Sequence, residues 1–180
     1  MSPLDRTIAA IIKAEGGDRF TNNPADPGGA TKFGITARGL AECWGRPVSP
    51  AEIASLTDDD AYAFYRWLAA DSKIDQIPNE AVLHVVFDAA VNMGRTPAIR
   101  LLQRALGVKA DGVIGPVTLA AVPHLDGLRL ARIALAERME FYGRLAAGDL
   151  TDADKDGIPD RLEFLPGWLN RVGHLMRTYA

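Results

Sequence analysis

Apolar residues Leu4, Ile8, Ile11 and Ile12 recur at helical spacing near the start of the chain. Ser2 fits an N-cap, Pro3 the first helical position and Asp5 the first turn, so the pattern predicts a helix from about Pro3 to Glu15, ended by Gly16-Gly17. Residues 18–36 then lose this periodicity and become rich in Asn, Pro, Gly and Asp. That predicts a long ordered loop or a small hairpin, with short strands near Lys32–Thr36. A loop of this length inside a compact domain is usually functional. From Ala37 onward helical patterns return, separated by Gly and Pro. Ser49-Pro50-Ala51-Glu52 and Thr57-Asp58-Asp59-Asp60 read as helix starts. Asn79–Met93 is a strongly apolar helix that ends at Gly94, and Thr96-Pro97 opens another with Ile99, Leu102 and Leu106 inward. Asp111-Gly112 marks a turn, Gly115-Pro116 starts a short helix, and Leu125–Ala147 is the longest helical pattern. A last helix covers about Trp168–Tyr179, with Pro166 limiting its start. The expected fold is mainly α, with one small irregular or β-hairpin lobe near the N-terminus.

Composition narrows the class. The chain has 180 residues and 48% hydrophobic content, enough for one domain or two small lobes. No apolar run approaches the length that spans a bilayer, so no membrane insertion is expected. The start, Met1-Ser2-Pro3-Leu4-Asp5-Arg6, has neither a basic segment nor an apolar run of the signal-peptide kind. The expectation is synthesis in the cytoplasm. The net charge of −3 equals that of residues 152–163 alone, which hold five carboxylates and two basic residues. The rest of the chain is therefore balanced, and nucleic acid is not an expected partner. Cys43 is the sole cysteine, which excludes an intramolecular disulfide; it reads as a small buried hydrophobe, since no histidine motif accompanies it.

Glu15 carries the sharpest chemistry. It lies four residues after Ile11 and so falls on the apolar stripe of the first helix, at that helix's negative end. Partial desolvation and the helix dipole both disfavour the anion, which leads us to expect a raised pKa, as a general acid requires. The plain alternative is a helix-end glutamate paired with Arg19 or Lys13.

Three segments together resemble a known family. Glu15-Gly16-Gly17 precedes Asn23-Pro24-Ala25-Asp26-Pro27-Gly28-Gly29-Ala30-Thr31 and Gly34-Ile35-Thr36; Phe87-Asp88-Ala89-Ala90-Val91-Asn92-Met93-Gly94 follows, then Ala110-Asp111-Gly112-Val113-Ile114-Gly115-Pro116-Val117-Thr118-Leu119. The chain resembles the glycoside hydrolase family 108 muramidases over about residues 4–148, plus Pro166-Gly167-Trp168-Leu169-Asn170-Arg171. The resemblance implies a lysozyme-like helical fold, with a catalytic region at 1–95 and a helical peptidoglycan-binding region at 96–180. It also implies cleavage between N-acetylmuramic acid and N-acetylglucosamine, with Glu15 protonating the leaving oxygen. Such enzymes occur as phage endolysins, so a holin or other export route, action in the periplasm or cell wall and a monomeric state are expected. The alternatives are a lytic transglycosylase, or a non-catalytic wall-binding or phage structural protein.

Glycoside hydrolysis usually needs a second carboxylate across the sugar. Asp26, in the Gly-rich loop, is the candidate; the alternative is an Asx-turn residue that shapes the loop. Thr31 is a weaker candidate for orienting water, and Asp18 is another. Asp88 and Asn92, four apart on an apolar helix, share a face. They either bind loop backbone or reach the sugar N-acetyl group, the structural role being favoured. Trp44, Trp67 and Trp168 are possible sugar platforms, with buried core roles expected for at least two.

Residues 152–163 fit the EF-hand spacing at every ligand position. Asp152, Asp154, Asp156 and Asp160 stand at positions 1, 3, 5 and 9, Gly157 at the sharp turn, Ile158 at the carbonyl position and Glu163 at position 12. Five carboxylates this close repel one another without a counter-cation. A structural Ca²⁺ is expected, though the chemistry itself needs no cofactor. The alternative is a solvated acidic loop.

Overall fold

The computed structural model describes residues 1–22, 29–148 and 160–179. The elements follow in the order α1 (Pro3–Ala14), β1 (Thr31–Lys32), β2 (Ile35–Thr36), α2 (Ala37–Trp44), α3 (Pro50–Ser55), α4 (Asp58–Asp71), α5 (Glu80–Met93), α6 (Arg95–Ala105), α7 (Pro116–Ala121), α8 (Gly127–Gly148) and α9 (Asp160–Thr178). The fold is mainly α, with one two-stranded antiparallel sheet. No helix among the described residues is long and apolar enough to cross a membrane.

Packing divides the chain into Met1–Gln76 and Ile77–Ala180. Helix α5 belongs to the second unit because it is apolar on nearly every face and buries itself against α6 and α8.

In the first unit, α1 starts as its sequence dictates. The Ser2 hydroxyl accepts from the Asp5 N–H, Asp5 returns the bond to the Ser2 N–H, and Pro3 occupies the first turn. Ile8 and Ile11 are fully buried, each contributing roughly 1.5–3 kcal/mol relative to exposure. Capping boxes at Ser49/Glu52 and Thr57/Asp60 open α3 and α4. The Ser49 and Arg46 bonds hold the Glu52 carboxyl at a pKa of about 2.

In the second unit, Asn79 caps α5 through the Val82 N–H. Helix α6 begins at Arg95, just before the expected Thr96-Pro97, and buries Ile99 and Leu102, whereas Leu106 forms its half-buried C-cap. Helix α9 departs from expectation. It begins at Asp160 and carries Pro166 inside it, so this proline interrupts one backbone bond without setting the boundary.

Candidate active site

Glu15 is the C-cap of α1 and is half-buried, as its place on the Ile8–Ile11 stripe requires. Two glycines with positive φ follow: Gly16 at 93° and Gly17 at 65°. They turn the chain sharply, and the Gly17 N–H closes back on the Ile12 carbonyl at 2.9 Å.

The hairpin then reaches the same place. Lys32 pairs with Ile35, leaving Phe33 and Gly34 as a two-residue turn. Their φ values of 57° and 76° match the positive φ that a type I′ turn needs at both positions. Phe33 is unusual there, since a bulky residue disfavours this conformation. Its backbone is held on both sides. The Phe33 N–H donates to the Gly17 carbonyl at 3.1 Å, and the fully buried Tyr65 hydroxyl donates to the Phe33 carbonyl at 2.8 Å. Lys32 anchors the strand by donating to the Ala54 and Leu56 carbonyls at the C-terminal end of α3.

These restraints press Gly34 onto the acid. A Cβ built on Gly34 would lie 2.6 Å from Glu15 Cγ, 2.8 Å from Cβ and 3.0 Å from Oε2. The turn therefore forms a wall against the Glu15 side chain that only glycine permits. Gly34→Ala should cut hydrolysis about 10²-fold by displacing that side chain. Rates on purified sacculi, with circular dichroism to verify folding, check this; wild-type rates from a folded variant contradict it.

The other expected residues distribute unevenly. Thr31 lies on β1, where it exchanges backbone bonds with Thr21 at 2.9 and 2.8 Å, and its hydroxyl donates to the Gly29 carbonyl at 3.3 Å. Asp18 is exposed in the turn after α1. Asp26 lies outside the described residues, as do Asp152, Asp154, Asp156 and Ile158; Asp160 and Glu163 fall in the first turn of α9. Among the described residues, no group of three His, Cys, Asp or Glu could hold a metal. Cys43 is half-buried and not fully buried, and burial pushes its thiol pKa up, which disfavours a nucleophilic thiolate.

Asp88 is not placed to meet a sugar, and its partners are not loop backbone. It is 2% exposed in the second unit. Arg138 Nη1 donates to its Oδ1 at 2.7 Å, and Arg171 Nε and Nη2 reach its Oδ2 at 2.9 and 2.7 Å. Arg138 is itself fully buried and donates through Nε to the Tyr142 hydroxyl, which in turn donates to Asn92 Oδ1 at 2.7 Å. Asn92 is exposed, so only its carbonyl oxygen is committed to this network. Burial pushes the Asp88 pKa up, but the Arg171 and Arg138 guanidiniums outweigh it and hold the carboxyl below its ordinary range.

The tryptophans also differ from expectation, since none is fully buried. Trp44 is 41% exposed with the Arg46 guanidinium over its ring. Trp67 is half-buried against Phe64, and Trp168 is half-buried and stacked on Tyr142 at 5.0 Å. Each is partly exposed and in contact with a neighbouring side chain, which suits their amphipathic rings.

A half-buried carboxyl group at a helix end, walled by a hairpin turn in a mainly helical fold, is the candidate site. Comparison with known proteins gives the class. Residues 8–94 match the model of Glycosyl hydrolase 108, and residues 97–173 match a Predicted Peptidoglycan domain. The two family matches meet between residues 94 and 97, while the packing boundary lies at 76/77. Among solved structures, SagA of Brucella abortus is 31% identical, with 98% of this chain and 92% of that chain covered and a TM-score of 0.79. No curated protein matches. The chain belongs to the glycosyl hydrolase 108 family, and it is a peptidoglycan hydrolase of the muramidase type.

Proposed function

We propose that Glu15 is the general acid with which this muramidase cleaves the bond from N-acetylmuramic acid to N-acetylglucosamine. The observation that carries the reading is the contact between Gly34 and the half-buried Glu15 side chain. A folded turn held at Phe33 by two hydrogen bonds fixes the rotamer of one carboxyl group and covers one of its sides. Glu15 gives its proton to the glycosidic oxygen as the C–O bond breaks. Positive charge then develops on the sugar ring, and water completes the hydrolysis.

Asp26 is the proposed second carboxylate, stabilising that charge or activating the water. Support comes from its position: the chain leaves at Thr21 and returns at Thr31, and these two residues pair beside the hairpin that contacts Glu15. Thr31 is the proposed auxiliary for orienting the water. Product analysis on purified sacculi tests the reaction class. Hydrolysis gives reducing ends at muramic acid, whereas anhydro-muramoyl ends would make the enzyme a lytic transglycosylase.

A calcium ion at Asp152, Asp154, Asp156, Ile158, Asp160 and Glu163 is proposed as a staple between α8 and α9, supported by the complete EF-hand spacing. Millimolar Ca²⁺ should raise the thermal midpoint over that in EDTA, by about 2.7 kcal/mol of stability at a hundredfold excess over Kd. Identical melts would remove the ion from the account. A phage origin, a holin or other export route, action in the periplasm and a monomeric state complete the proposal. They rest on the family resemblance and on peptidoglycan as the partner.

A further inference from the structure

The second unit carries a cavity of about 290 Å³ beside α7, within the region matched by the peptidoglycan domain and apart from the candidate catalytic residues. Its frame is rigid. Gln103, 1% exposed, donates through Nε2 to Asp111 Oδ1, the Val113 carbonyl and the Thr118 hydroxyl, and accepts from the Gly112 N–H at 2.8 Å. A Cβ on Gly112 would stand 2.7 Å from Thr96 Cγ2, so the turn packs directly on α6. One buried side chain thus fixes both sides of the cavity before any ligand arrives.

The lining is mostly apolar, yet two of its residues face solvent: Val113 is 62% exposed and Val117 is 72% exposed. Lys109 lies at the same cavity, exposed; its charge also acts on the Asp111 carboxylate, but no ion pair closes between them. The carboxylate nearby, Asp111, has its Oδ1 occupied by Gln103 and the Val113 N–H, and these bonds hold its pKa below the ordinary range. No aromatic ring lines the cavity. A sugar ring would find no stacking platform here. A short chain bearing small methyl groups and a free carboxylate would find both a valine wall and an ammonium.

We propose that this groove binds the stem peptide of peptidoglycan, with its alanyl methyl groups on Val113 and Val117 and a free carboxylate on Lys109. The proposal rests on the wall-degrading activity of the chain and adds which part of the wall the second unit holds. It makes peptide-bearing strands the favoured substrate over naked glycan. The groove holds the peptide while the first unit acts on sugar.

Amide NMR of the full chain, titrated with a synthetic stem tetrapeptide ending in D-alanine and separately with a peptide-free chitin oligomer, tests this. The expected result is shifts at Lys109, Val113 and Val117 with the peptide alone. Lys109→Glu should weaken peptide binding about tenfold, and Val117→Ala should weaken it as well. Both residues are exposed, so the variants should fold, and their spectra verify it. The groove assignment is overturned if the peptide leaves those amides unmoved, if Lys109→Glu binds as wild type, or if the glycan occupies the site. Hydrolysis of sacculi by the same samples separates the two claims: intact hydrolysis without peptide binding sinks the groove alone.

Discussion

Glu15→Gln should clear permeabilised Gram-negative cells about 10²–10⁴-fold more slowly than wild type. The substitution keeps the length and shape of the side chain, so the packing against Gly34 survives. What disappears is the transferable proton. An amide cannot protonate the departing glycosidic oxygen, and the C–O bond must then break with the full charge of the leaving group uncompensated. The thermal melt of the variant should overlay that of wild type, because Glu15 is only half-buried and its neighbours lose no volume. A turbidity assay with a matched melt checks both. Rapid clearing by Glu15→Gln would mean that another group supplies the proton.

Asp88→Asn should destabilise the second unit by about 3–5 kcal/mol. The carboxylate faces two guanidiniums, one of them fully buried. Replacing it with an amide leaves two cations facing each other with no counter-charge, and an amide nitrogen cannot accept their hydrogen bonds. Arg138 Nη2 already has no hydrogen-bond partner among the described residues, so the cluster has no spare acceptor. Denaturant unfolding of both proteins at neutral pH measures the loss. The pH dependence has a definite sign. The pKa of Asp88 is lowered in the folded state, so its contribution is complete above the ordinary aspartate range and disappears as pH falls through the folded value. The gap between wild type and variant should therefore begin to narrow only below about pH 4 and close as pH falls through the folded value. A constant gap down to strong acid would contradict the ion-pair account.

The sequence made the helices legible wherever a local signal started them. Ser2, Ser49, Thr57 and Asn79 announce their helices, and the bonds they make are the ones their positions imply. Glu15 was legible for the same reason, since the stripe of Ile8 and Ile11 fixes its face. The wall that positions it was not. Nothing local to Gly34 says that it touches the residue that caps the preceding helix. Tyr65 was missed too, because its phenol reaches a carbonyl 32 positions earlier in the chain. The pairing of Asp88 and Asn92 on one face could be read, but Arg138 and Arg171 lie 50 and 83 positions from Asp88. Periodicity reports which face a residue occupies and leaves open which distant element meets it. Pro166 shows the opposite failure. A strong local breaker was overruled, and α9 runs through it.

The most direct test of the assigned acid varies the leaving group. Wild type and Glu15→Gln are compared on native glycan strands and on an oligosaccharide aryl glycoside whose nitrophenolate departs without protonation. If Glu15 donates the proton, the variant is severely impaired on the strands and nearly restored on the aryl glycoside. An equal loss on both substrates, or no loss on either, would contradict that role.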